Sequence, residues 1–228
     1  MGACSRRRGP GWDFIPTAIA PVAAGDPSPQ EVLAKYHARQ RNTPRLGDFQ
    51  VEVEIDASLP GMQKRGGMAG TRVQKGQQTL SYAGARFTGD DMIKRDVITR
   101  YLNGEKEALR HPPNVALIPE NYQFEYRGVA LHGDRRAHVY EVIPKAKRVG
   151  MYRGELWIDM ETALPLREFG RLVHNPSVFL KNVDFVRDYR LTDGRALPAR
   201  FISTMDTRLV GPAEISITFQ NYQLEAAP

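Results

Sequence analysis

The sequence predicts a mainly β, α+β fold: one curved antiparallel sheet of about ten strands, with two helices. Three observations predict it. Beyond residue 49, apolar and polar residues alternate with a period of two through most of the chain. The runs are joined by short polar connections, and only two stretches carry helical spacing. Period-two alternation marks strands buried on one side. Turns too short for a crossover make sequential strands antiparallel neighbours.

The first helix opens at Ser28-Pro29-Gln30-Glu31, where Ser28 caps, Pro29 suits the first helical position and Glu31 completes a capping box. Val32, Leu33 and Tyr36 give it an apolar stripe, and it ends before Asn42-Thr43-Pro44. Val51, Val53 and Ile55 then alternate with Gln50, Glu52, Glu54 and Asp56 as the first strand. Further strands are expected at Thr71–Lys75, Thr79–Phe87, Tyr122–Leu131, Ala137–Pro144, Met151–Asp159, Leu164–Val173, Val178–Leu191, Leu197–Leu209 and Ala213–Leu224. Asp134, Asp159-Met160-Glu161-Thr162 and Asp193-Gly194 provide turns between them. The second helix spans Asp90 to Leu109, with Met92, Ile93, Val97, Ile98, Tyr101 and Leu102 at helical spacing and Pro112-Pro113 as its stop.

Composition narrows the function classes. At 228 residues the chain is long enough to bury roughly 70–75% of its unfolded surface without a staple. Its single cysteine, Cys4, excludes an intrachain disulfide and a cysteine-built zinc site. A net charge of +6 admits an anionic partner without identifying one. Residues 1–27 read either as a poor secretory signal or as a flexible tail. Arg6-Arg7-Arg8 precedes a semi-apolar stretch ending in small residues, but Asp13, Pro16 and Pro21 interrupt it. Residues 28–228 read as a single domain.

Chemistry-bearing patterns are sparse. His37, His111, His132, His138 and His174 fall on separate elements without metal-ligand spacing. No nucleophile elbow or dinucleotide fingerprint occurs, and Gly66-Gly67-Met68-Ala69-Gly70 lacks the Lys-Ser/Thr and helix of a phosphate loop. That segment reads as a flexible turn or bulge. No catalytic residue, metal or cofactor is expected. Lys145, Lys147, Arg148 and Arg153, with Tyr152 among them, form a basic cluster suited to anionic headgroups or simply to a solvated hairpin. The aromatics alternate as strand residues, so nucleic-acid binding is not expected.

The strand faces carry more. Val183, Phe185, Tyr189 and Leu191 share one side of their strand, opposite Asp184, Val186, Asp188 and Arg190. Ile215, Ile217 and Phe219 oppose Glu214, Ser216, Thr218 and Gln220. Leu156 and Ile158 line up similarly, with Trp157 on the other face. Two helices, each about 10 Å wide, mask only part of such a sheet. What is left is either dense side-chain core or a cavity for an apolar ligand.

The run from Gly154 to Leu166, in which Trp157-Ile158-Asp159 turns through Thr162-Ala163-Leu164-Pro165, resembles the central hairpin of LolA/LolB-like outer-membrane lipoprotein-sorting proteins. Val183-Asp184-Phe185, the turn Asp193-Gly194-Arg195-Ala196-Leu197-Pro198 and the closing strand to Tyr222 support the resemblance. It implies a half-open β-barrel with helices over its concave side, and carriage or sensing of lipid or lipidated protein in the periplasm without covalent chemistry. An envelope membrane or membrane protein is a further expected partner. On this basis Val51, Val53, Ile55, Leu156, Ile158, Val183, Phe185, Ile215, Ile217 and Phe219 are expected on the concave side, some touching ligand and the rest packing on helices. The alternative is a structural or sensor protein of the envelope with a filled core.

Overall fold

The computed structural model describes residues 25–42, 47–76, 79–110, 115–175, 180–208 and 211–224. Most of the signal-like segment, Cys4, His111 and Pro112-Pro113 lie outside the described residues. Helix α1, Pro29–Asn42, begins as its sequence dictates. Ser28 donates its backbone N–H and its hydroxyl to Glu31 Oε2 at 3.0 and 2.9 Å, while the Glu31 N–H donates to Ser28 Oγ at 3.2 Å. The segment just before it is fastened to the sheet. Arg136 grips Asp26 through two bonds of 2.5 and 2.7 Å, His138 donates from Nε2 to the Pro27 carbonyl, and the Tyr140 hydroxyl donates to the Pro29 carbonyl at 2.6 Å.

Strand β1, Phe49–Leu59, passes through a 3₁₀ turn at Pro60–Met62 into β2, Lys64–Lys75, and then β3, Thr79–Gly89. The second helical segment starts as a π-helix, Ile93–Ile98, and continues as helix α2, Thr99–Arg110. Asp90 caps it through the Met92 N–H at 2.8 Å. The remaining strands are β4 (Tyr122–His132), β5 (Arg135–Pro144), β6 (Tyr152–Asp159), β7 (Pro165–Leu172), β8 (Leu180–Thr192), β9 (Arg195–Thr207) and β10 (Pro212–Leu224). They form one antiparallel sheet in the order β3-β2-β1-β10-β9-β8-β7-β6-β5-β4. The sheet is curved and open, with β3 and β4 as its edges. Early and late segments meet where β1 pairs with β10, placing Ile55 opposite Ile217.

One expectation is half corrected. The glycine-rich segment makes no turn, because Gly66 to Gly70 lie inside β2 and the turn sits earlier, at Pro60–Met62. The bulge is present, as the β2–β3 register shifts between Ala69 and Thr71. Glycine is needed there for contact: a Cβ on Gly66 would meet Ile93 Cγ2 at 3.0 Å, and one on Gly70 would meet the Ala83 carbonyl at 3.1 Å. The small residues let β3 and the π-helix seat closely on β2. Leu191, read with the inner face of β8, packs instead with the outer cluster around Trp157.

The helices cover two separate parts of one face. The π-helix and α2 press Ile93, Ile98 and Leu102 onto β1, β2 and β10. Helix α1 presses Val32 and Tyr36 onto Tyr122, Tyr140, Val142, Leu156 and Ile158. Trp157, Ala137, Val139 and Leu166 form a smaller cluster on the outer face. Gly154 and Gly170 pair across β6 and β7 so closely that a Cβ on Gly154 would strike the Phe169 carbonyl and Gly170 Cα.

Two outcomes follow for stability. Gly154→Ala is expected to destabilise by about 1–3 kcal/mol, as overpacking does; a urea midpoint equal to wild type would contradict that fit. Burial lowers the pKa of His37, with Arg41 adding to the effect, and burial likewise lowers that of His132. The unfolded chain therefore takes up more protons, and stability present above the ordinary histidine value of 6.5 is lost as pH falls below it. Thermal melts between pH 7 and 5 are expected to fall with acidity, and His37→Gln to flatten the trend.

Candidate functional site

The register places one residue from each strand in a row across the inner face. From the β4 edge it runs Tyr126, Tyr140, Leu156, Glu168 and Arg187. It continues through Phe201, Ile217, Ile55, Met68 and Phe87 to the β3 edge. Two of these residues carry charge, Glu168 and Arg187, and they are direct neighbours on β7 and β8. On the β4 side the row passes under α1, and on the β3 side under the π-helix and α2. The ion pair thus sits between the two covered areas, with Phe201 touching both clusters.

A cavity of about 640 Å³ opens at this place. Its sheet wall is built from Val183 and Phe185 on β8, Leu197 and Phe201 on β9 and Leu172 on β7. Tyr36 of α1, Val115, Leu117, the turn residues Ala163, Leu164 and Pro165, and Ala196 of β9 add to the apolar lining, and Arg39, Gln40 and Arg195 also border the space. Its size falls in the range of about 300–1,000 Å³ common to small-molecule sites.

The polar part of the wall is one connected group. The Tyr189 hydroxyl donates to Glu168 Oε1 at 2.7 Å, and Arg187 Nη1 lies 3.4 Å from Oε2. The Glu168 side chain is nearly closed off, whereas 39% of the Arg187 side chain is open. Arg187 lies over the rings of Phe185 and Phe201, at 5.8 and 5.6 Å to the centroids. Those rings stack on each other, and Tyr152 meets Phe185 edge-on at 4.9 Å. Burial first, and Glu168 second, push the Tyr189 and Tyr152 hydroxyls upward, so both stay protonated donors. The Tyr152 hydroxyl is buried and has no hydrogen-bond partner among the described residues.

The ten residues expected on the concave side are all buried, but they part into three groups. Val51, Val53, Ile55, Ile215, Ile217 and Phe219 form core beneath the π-helix and α2. Leu156 and Ile158 form core beneath α1. Val183 and Phe185 border the cavity. None of the four basic residues borders it. Lys145 donates to the Pro119 carbonyl at 2.5 Å, and Arg153 is paired with Glu141 at 2.8 and 3.0 Å. Lys147 and Arg153 edge a second, more open depression beside Arg171 and Asp184, and the Arg148 carbonyl accepts from the Met151 N–H.

Sequence reasoning missed Arg187 and Glu168, and it placed Tyr152 with the basic cluster rather than on the cavity wall. Arg187 has the same parity on β8 as Val183, Phe185 and Tyr189, so a charged residue in an inward position was the available signal. Glu168 was hidden by the irregular β6–β7 register between Trp157 and Ile158. Among the described residues, no group of three or more His, Cys, Asp or Glu is placed to hold a metal.

No protein-family model matches the chain, and no curated protein matches it significantly. Solved structures do. A LolA superfamily protein from Nitrosomonas europaea is 15% identical, with 87% of this chain and 94% of that chain covered and a TM-score of 0.38. A putative outer membrane lipoprotein-sorting protein domain from Vibrio parahaemolyticus is 14% identical over 87% and 92%, at 0.41. A DUF1329 family protein from Desulfovibrio piger is 12% identical over 86% and 94%, at 0.43. These likenesses concern the path of the backbone, and the chemistry of the site comes from its own side chains.

Tyr189→Phe removes the short donor to Glu168 and is expected to cost about 1–3 kcal/mol, as loss of a hydrogen bond to a buried charge does. Tyr152→Phe removes a hydroxyl that bonds nothing among the described residues and is expected to leave stability unchanged or raised. Urea unfolding of the two variants side by side checks the contrast.

Proposed function

We propose that this protein binds the acyl chain of a lipid or lipidated protein in the bacterial periplasm, without covalent chemistry. The carrying observation is the cavity between α1 and the middle strands, whose wall is mostly aliphatic and aromatic. Each methylene removed from water contributes about 0.8 kcal/mol, so a chain of ~14 carbons gains on the order of 11 kcal/mol before ordering costs. The neighbouring areas are closed by helices, which confines the guest to the uncovered middle of the sheet. The sequence resemblance to lipoprotein-sorting proteins supports the periplasmic setting.

Native mass spectrometry of freshly purified protein, followed by titration with a fluorescent fatty acid, tests the reading. Co-purifying lipid or saturable uptake is expected. Phe185→Asp places a charge in the wall and is expected to abolish uptake. Because Phe185 is also core, Ala196→Trp gives a gentler test: it fills lining space and is expected to weaken uptake about fifteenfold, equivalent to two lost methylenes. A bare mass with no uptake by the wild type, or undiminished uptake by both folded variants, would overturn the proposal in favour of a filled-core envelope protein.

A further inference from the structure

We propose that Arg187 makes this cavity select amphiphiles with an acidic head, a carboxylate or a phosphate monoester, over neutral amphiphiles of the same chain length. The inference rests on the acyl-binding reading and adds the polar end of the ligand to it.

The argument starts from position. Arg187 and Glu168 stand in the middle of an otherwise uncharged row, at the gap both helices leave open. A buried ion pair is frequently no more stable than apolar residues of the same volume. A wall that only had to hold hydrocarbon would be as well served by two aliphatic side chains. The pair is also lopsided. Glu168 is closed in, with Tyr189 donating to one oxygen and Arg187 to the other. Of the guanidinium, only Nη1 is engaged, at the long distances of 3.4 Å to Glu168 and 3.5 Å to the Tyr189 hydroxyl. The Nε and Nη2 edge has no protein acceptor among the described residues, and the side chain borders the cavity with 39% of its surface open.

An arginine fork fits carboxylate and phosphate through two parallel bonds. Here the fork is held in advance by the faces of Phe185 and Phe201, which reduces the ordering cost of meeting a ligand. The other charged residues on the lining, Arg39 and Arg195, have the same sign, so three cations face the space against one enclosed carboxylate. That field favours an anion. Beside the same group lies the buried Tyr152 hydroxyl, a donor without an acceptor, so the wall holds unspent donor capacity at two residues.

The test uses the full-length protein and three probes of equal acyl length: a fatty acid, a lysophosphatidic acid and a monoacylglycerol. Both acids are expected to bind at least about tenfold more tightly than the neutral probe, the scale of one charge-assisted hydrogen bond. The ratio between the two acids tells which head is preferred. Raised salt is expected to shrink the preference in the unmodified protein. Arg187→Met is expected to erase it, so that the two acids bind no more tightly than the monoacylglycerol. Glu168→Gln/Arg187→Met removes both charges, so the result does not depend on a stranded carboxylate. Equal binding of all three probes by the wild type, or a preference that survives in a folded Arg187→Met variant, would overturn this inference and leave acyl binding standing. Failure of every probe to bind would overturn the acyl-binding reading itself, and this inference with it.

Discussion

Ten strands at about 4.8 Å spacing make a sheet roughly 43 Å across, and two helices of about 10 Å each cannot cover it. Everything distinctive in this molecule follows from that mismatch. The inner face is apolar along nearly its whole width and has to be removed from water. Curvature helps by narrowing the mouth. The π-helix and α2 then close one area completely, and α1 closes another. What stays uncovered is the strip along β7, β8 and β9, where the cavity lies.

The two closed areas differ in how they are held. Under the π-helix and α2, the fully buried packing is mostly aliphatic, with Phe49 and Phe219 among it, and glycines at 66 and 70 bring the layers together. Under α1 the contacts include several tyrosines, with the Tyr140 hydroxyl spent on the helix start. Aromatic rings with polar ends suit a boundary that is dry on one side and open on the other. The sequence of environments across the row, from aromatic through charged to aliphatic, is the local chemistry a guest in the middle would meet.

Most strands are legible because one-sided burial writes itself as alternation, as in β1 with its alternating buried and exposed residues. Helix α1 was legible to the residue at its start, since a capping box is a local code. Glycine-rich β2 was not, because those residues serve contacts with β3 and the π-helix that no local window contains. The same holds for the site. Val51 and Phe185 look alike in sequence, both apolar and both inward. Only the placement of the helices makes the first core and the second cavity wall. Arg187 announced itself only by parity, and its meaning depends on Glu168, nineteen positions earlier and directly across the ladder.

The links at Asp26, Pro27 and Pro29 have a mechanical meaning. They nail the amino end of α1 to β5, while Arg39 and Gln40, near the other end, border the open space. The other end of the helix is tied as well, by Arg41 donating to Glu120 Oε1 at 2.7 Å, so α1 is held at both ends beside the cavity. A span held at both ends keeps its place, so Arg39 stands as a fixed cation on the border of that space.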